Sequence, residues 1–326
     1  MKLTNKKFIT NDNSLINYYE TENKGSILLM IHAQGANSSS FFKQVQQLSK
    51  NFHIILVDCY GHGKSSHNVE KYNLKSQSED LIEFINTILN SNEKINILGH
   101  SSGALIASYI ASKSDKVENL ILEDAPFFAS VGERRFNSYN YLDLSTVCHF
   151  FINQNEEKDF PYYYFMNQYC WDFFPEKSRD NIKNKLGNFA LKYRKKNPDK
   201  TLFVPFWPRK FLEVFRGLNE YDPHFGESFY NDSFNFGVDY EELLQNINCP
   251  TLFMKANTII AENGVVQGAL TDEDLSKVDS LIKDMDIKYF NCGHGIHNEK
   301  SKEFVSSIRS FLSKEKIKDE EIELNQ

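Results

Sequence analysis

Along the first 125 positions, short runs of uninterrupted apolar residues alternate with stretches of helical periodicity. Ser26-Ile27-Leu28-Leu29-Met30-Ile31, Phe52-His53-Ile54-Ile55-Leu56-Val57, Ile95-Asn96-Ile97-Leu98 and Leu120-Ile121-Leu122 are apolar at nearly every position. Strands buried on both faces have this pattern, and parallel sheets covered by helices bury both faces. Between the runs, Leu81, Ile82, Ile85, Ile88 and Leu89 recur at helix spacing. Ala104 to Ala111 reads as a short helix of small residues that can pack close to a sheet. Upstream, Phe8-Ile9-Thr10 and Leu15-Ile16-Asn17-Tyr18-Tyr19 flank Asn11-Asp12-Asn13, which is turn chemistry, so the pair reads as a hairpin. Strand–helix alternation of this kind implies an α/β fold with a mostly parallel central sheet flanked by helices.

The rhythm breaks after Pro126. Residues 127–240 hold 30 of the chain's 45 aromatic residues, and positions 126–240 hold seven of its eight prolines. The shift marks an inserted unit of irregular helices. The α/β pattern then resumes, with Pro250 to Met254 as a strand and Asp272 to Met285 as a helix. A further strand at Asp286 to Phe290 precedes a final helix from about Ser301 to Leu312. The expected organisation is a core of residues 1–126 and 241–313, an inserted aromatic lid of residues 127–240, and a flexible charged tail at 314–326.

Composition removes several classes of function. The chain has 326 residues, a formal charge of −7, and 40% hydrophobic and 25% charged residues, so it is not a disordered chain. No apolar run approaches the roughly 18 residues of a membrane span. The residues after Met1-Lys2-Leu3 have no apolar stretch of the kind a signal peptide needs. Five cysteines, none in a Cys-x-x-Cys pair, do not suit a disulfide framework, a zinc ribbon or a thioredoxin-type site. The mildly acidic balance argues against nucleic-acid binding. A cytoplasmic protein of unspecified oligomeric state is the expectation.

Chemistry concentrates where strands end. Gly99-His100-Ser101-Ser102-Gly103 follows one apolar strand and precedes the small-residue helix, the context that Gly-x-Ser-x-Gly requires. The turn leaves no room for side chains beside the serine, and it sets Ser101 at a helix N-terminus that favours negative charge. His32-Ala33-Gln34-Gly35, Asp58-Cys59-Tyr60-Gly61-His62-Gly63-Lys64-Ser65 and Gly293-His294-Gly295 each follow another strand. Open α/β sheets place ligands at these carboxyl ends.

These motifs, in this order, resemble the α/β-hydrolase fold superfamily over nearly the whole chain outside the aromatic insert. The resemblance implies Ser101 as nucleophile and His294 as general base. It implies an oxyanion hole of the Ser102 and Gln34 N–H groups, Ala33 standing where the family usually has glycine. The Asp58 turn is scaffold in that family, and His32, His62 and His100 are expected to serve local loop geometry. His297 could compete with His294, though a surface or lid-facing role suits it better.

The third member is less plain, because the family's usual acid follows the seventh strand. That stretch here reads Asn257-Thr258-Ile259-Ile260-Ala261, with Glu262 as the next acid. The superfamily also uses the end of the sixth strand, where Asp124 stands. Asp124 is the closer match and Glu262 the alternative.

Together these features imply a serine hydrolase acting on a small or medium apolar ester, lactone or related acyl compound through an acyl-enzyme, with no metal or organic cofactor. An acyltransferase on the same fold, or a non-hydrolytic small-ligand sensor, are the alternatives. Some of the insert's aromatics are expected to line the pocket and the rest to pack the insert onto the sheet.

Overall fold

Thr4–Ile9 (β1) and Leu15–Glu20 (β2) pair as the expected antiparallel hairpin. Asn13 takes the left-handed position of its turn, with φ 66°, a conformation a short polar side chain tolerates. This computed structural model describes residues 2–22, 25–208 and 214–324, with side chains as far as Ser313. Ser26–Ile31 (β3), Phe52–Val57 (β4), Ile95–His100 (β5) and Val117–Glu123 (β6) follow in sequence. After a long helical segment come Thr251–Lys255 (β7), the small pair Ile259–Ile260 (β8) and Val266–Gln267 (β9), and Met285–Tyr289 (β10). Eight of these strands form one sheet in the order β1-β2-β4-β3-β5-β6-β7-β10. The strands from β4 to β10 in that order are parallel, and only β1 and β2 run antiparallel to their neighbours.

Alternation of side chains along each strand divides the core into two layers. Leu28 and Met30 of β3, with Ile54 and Leu56 of β4, point to one face. There they meet Val45 and Leu48 of helix α1 (Phe42–Leu48) and Phe304, Ile308 and Phe311 of the last helix, Ser301–Leu324. Leu29, Ile31, Ile55 and Val57 point to the other face, against α2 (Leu74–Ile88) and α3 (Ser102–Lys113). This is why the central strands are apolar at nearly every position.

Two boundaries differ from expectation. The helix expected over Asp272 to Met285 stops at Leu281, because parallel pairing with Thr251 takes Met285 into β10. Its start is fixed by a reciprocal Thr271–Asp274 capping box. The last helix continues past Leu312, and the tail expected at 314–326 lies outside the residues whose side chains are described.

Between β6 and β7 the chain builds helices: Thr146–Ile152 (α4), Phe160–Asn167 (α5), Glu176–Lys196 (α6), Pro223–Tyr230 and Tyr240–Gln245. Trp171, Trp207, Phe165 and Phe174 pack into one ring cluster, mostly edge-on or tilted, with Trp171 and Trp207 centroids 4.6 Å apart. These aromatics belong to the same continuous apolar cluster as Leu29 and Ile31. Each large side chain buried there contributes about 1.5–3 kcal/mol, so the insert is held on the sheet by shared core.

Candidate active site

Ser101 makes the whole turn between β5 and α3. Its φ of 54° and ψ of −119° lie where L-residues are strained. Backbone bonds hold it there: Ser101 N–H donates to Glu123 O at 2.9 Å, and Ala104 N–H donates to Ser101 O at 2.9 Å. The flanking glycines are steric necessities. A Cβ on Gly99 would lie 2.2 Å from Gly103 O, and one on Gly103 would lie 2.4 Å from Ile31 O.

His294 sits in the loop after β10, with 41% of its side chain exposed. Its Nδ1–H donates to Asp124 Oδ2 at 2.6 Å. Asp124 ends β6, fully buried and with φ 47°. It is pinned by its own N–H to Met254 O at 2.9 Å, and by Ala256 N–H, which donates to Oδ1 at 3.1 Å. Desolvation pulls the imidazole pKa down. The hydrogen bond and charge of Asp124, with Glu123 behind it, outweigh that pull and leave His294 raised above the ordinary 6.5.

Glu262 is exposed in the turn between β8 and β9. The tip of β7 carries no carboxylate near His294. Buried Lys255 donates to Ala256 O at 2.6 Å and to Thr258 Oγ1 at 2.7 Å. Asn257 donates to Asn291 Oδ1 at 2.8 Å, which ties the two loops together.

Ser102 is the first residue of α3, so its N–H has no acceptor within the helix. The Gln34 N–H, expected to be available, is engaged: it donates to Ser102 Oγ at 2.8 Å. The side chain of Gln34 donates to the Tyr221 hydroxyl at 3.0 Å. Ala33 fits in place of glycine because the left-handed position of this turn falls on Gly35, at φ 74°.

The neighbouring loops are scaffold. Asp58 accepts from Ser38 N–H at 2.9 Å, Asn17 Nδ2 at 2.8 Å and Lys64 N–H at 3.1 Å. His32 Nε2 accepts from Cys59 N–H at 3.0 Å, and His62 Nε2 accepts from Gly35 N–H at 3.1 Å. Burial lowers the pKa of both rings, which suits neutral acceptors.

A second buried acid–histidine pair was not legible in the sequence. His297 is buried rather than at the surface. Its N–H and Nδ1–H both donate to Glu123 Oε1 at 2.8 Å, while Asn298 Nδ2 meets its Nε2 at 3.1 Å. The His100 ring lies between those of His294 and His297, with centroids 4.7 and 5.0 Å away. Its Nε2–H donates to His294 O at 3.1 Å, and burial pushes its pKa down to about 3. Ligand atoms of His100, Glu123 and His297 lie within 4.8 Å of one another. These hydrogen bonds already occupy the Glu123 oxygens, His297 Nδ1 and His100 Nε2, so the trio reads as a polar network behind His294.

Ser101, Ser102, Gln34 and His294 line one cavity of about 400 Å³ under the helical insert. Of the insert's aromatics, only Tyr139, Tyr164 and Phe229 line it among the described residues. Others, such as Phe165, Trp171, Trp207 and Phe215, are buried in the apolar core, while Phe206 and Phe236 are exposed.

The chain is 29% identical over 110 residues to the (E)-2-((N-methylformamido)methylene)succinate hydrolase of Acinetobacter baylyi, a match covering 33% of this chain and 41% of the relative. It is 34% identical over 116 residues to the pimeloyl-[acyl-carrier protein] methyl ester esterase of Aliivibrio salmonicida, covering 35% of this chain and 41% of that protein. These matches therefore span well under half of either relative. Among solved structures, an esterase from Exiguobacterium antarcticum superposes with a TM-score of 0.65 at 17% identity, over 95% of this chain and 100% of the other. The family model for the alpha/beta hydrolase fold matches residues 26–301, and the chain belongs to that family.

Proposed function

We propose that the chain is a serine hydrolase that cleaves a small or medium acyl compound, most simply an ester, through an acyl-enzyme. The observation that carries this reading is the shared cavity. Ser101, on its strained turn, opens into the same space as His294, whose far nitrogen is bonded to buried Asp124.

A serine hydroxyl is a weak nucleophile until a base takes its proton. Asp124 fixes the imidazole tautomer with the proton on Nδ1, which leaves Nε2 as the base. Attack on the acyl carbon moves charge onto the carbonyl oxygen. The N–H groups of Ser102 and Gln34 are the proposed donors for it, each contributing on the order of 3 kcal/mol to the barrier. Gln34 reaches that role when Ser102 Oγ yields its place as acceptor. Collapse expels the alcohol, protonated by His294, and a water activated by the same imidazole releases the acid. The insert acts as a lid, and the cavity volume falls within the range of small-ligand sites.

A fluorophosphonate probe should label the wild-type protein and spare Ser101→Ala, and the same substitution should abolish p-nitrophenyl ester turnover while the fold persists. Equal labelling of both proteins would refute the assignment.

A further inference from the structure

One turn of π-helix, Tyr141–Ser145, interrupts the insert just before α4. Such turns concentrate at functional sites, because the extra residue re-aims a side chain. Here the turn carries Asp143, only 4% exposed, into the wall of the Ser101 cavity. Its carboxylate accepts from the Tyr164 hydroxyl, and Tyr169 N–H donates to Oδ1 at 2.6 Å. A carboxylate has about four acceptor positions, so two remain. Among the described residues no ion pair to Asp143 is formed, and burial raises its pKa while the two hydrogen bonds lower it.

Resting on the hydrolase reading above, we propose that Asp143 binds a cationic amine on the substrate, so that the preferred acyl compound carries an ammonium group remote from its scissile carbonyl. A buried charge is costly unless it is paired, and an ammonium ion supplies both the missing charge and further donors. The Tyr139 and Tyr164 rings line the same cavity and add the aromatic surroundings that cations favour. Burial pushes the pKa of the carboxyl up to about 6 despite its two hydrogen bonds, the direction expected of a carboxylate with no cation beside it. A purely structural Asp143 would tie α5 to the following turn and have no reason to prefer one ligand over another.

Calorimetric binding of n-hexylammonium, n-hexanol and hexanoate to the full chain tests this without any turnover, so the result stands whether or not Ser101 is a nucleophile. The ammonium should bind at least tenfold tighter than the alcohol, and hexanoate weakest. In Asp143→Asn the ammonium-to-alcohol ratio should fall to within about threefold, while Asp143→Glu, which keeps the charge, should retain most of it. Equal binding of ammonium and alcohol by the wild type overturns the proposal, even if the asparagine variant does not fold. So does a preference for hexanoate, or an unchanged ratio in folded Asp143→Asn.

Discussion

Asp124 Oδ2 stands 2.6 Å from His294 Nδ1, although 170 positions separate the two residues. The contact exists because parallel β6 and β7 lie side by side, so that the backbone of Met254 and Ala256 can clamp Asp124 beneath the His294 loop. Asp124→Asn keeps the shape but removes the charge and favours the wrong imidazole tautomer. Ester turnover should fall by about 10⁴-fold, as in the serine-protease case. Exposed Glu262 has no such contact, and Glu262→Gln should stay within about twofold of wild type. Steady-state kinetics of the two variants decide the matter, and the reverse ranking would move the role to Glu262.

The same contact sets a pH dependence. In the proposed role of base, His294 must be neutral to accept the serine proton, and its pKa is raised above 6.5. Activity should therefore be lost as pH falls through a midpoint above 6.5, in a plot of kcat/KM that reports free-enzyme groups. In Asp124→Asn the larger raising influence is gone while desolvation and Glu123 stay, so the midpoint of any residual activity should move down. A wild-type midpoint below 6 would contradict this balance of forces.

The elbow was legible in the sequence because its geometry restricts residue choice. Gly99 and Gly103 are dictated by backbone atoms 2.2 and 2.4 Å from any Cβ placed there. The two-layered core was legible for the same reason: a strand buried on both faces has to be apolar throughout. Asp124 is the first candidate for the acid because the stretch after β7, Ala256-Asn257-Thr258, offers none. Glu123 with His297, and Asp143 in the cavity wall, leave no such trace. The first pair spans 174 positions, and Asp143 lies on a π-turn that no periodicity announces. The engagement of Gln34 N–H by Ser102 Oγ is likewise a matter of one rotamer, invisible in residue order.

Gly103→Ala tests the steric argument directly. The added methyl would meet the carbonyl oxygens of Ile31 and His32 at 2.4 and 2.5 Å, and neither can retreat without disturbing β3. Overpacking of this kind costs about 1–3 kcal/mol or more. The variant should show a lower urea midpoint and reduced probe labelling, because the turn under Ser101 must open. Wild-type stability would mean that α3 is free to shift.

Glu123 offers a prediction that separates a structural anchor from a bystander. Its carboxylate is fully buried and accepts two hydrogen bonds from His297, whose segment continues the loop that carries His294. Burial favours the neutral acid, yet the electrostatic pull and the hydrogen bonds of His297 prevail and lower the pKa below 4.5. A group with a depressed folded-state pKa stabilises fully above its unfolded value, and that stabilisation is lost as pH falls through the folded value. Glu123→Gln replaces an acceptor by an amide nitrogen facing His297 donors, and should cost about 3 kcal/mol at pH 7, as for a broken buried pair. The gap between wild type and variant should then narrow as unfolding is measured at pH 4 and pH 3. In the same variant the His294 loop loses its footing, so kcat should fall more than KM changes. A stability gap that stays constant from pH 7 to pH 3 would mean that folding leaves the Glu123 pKa unchanged, and a gap that widens as pH falls from 7 would mean that the buried carboxyl is protonated in the folded state and that His297 is held by a neutral hydrogen bond.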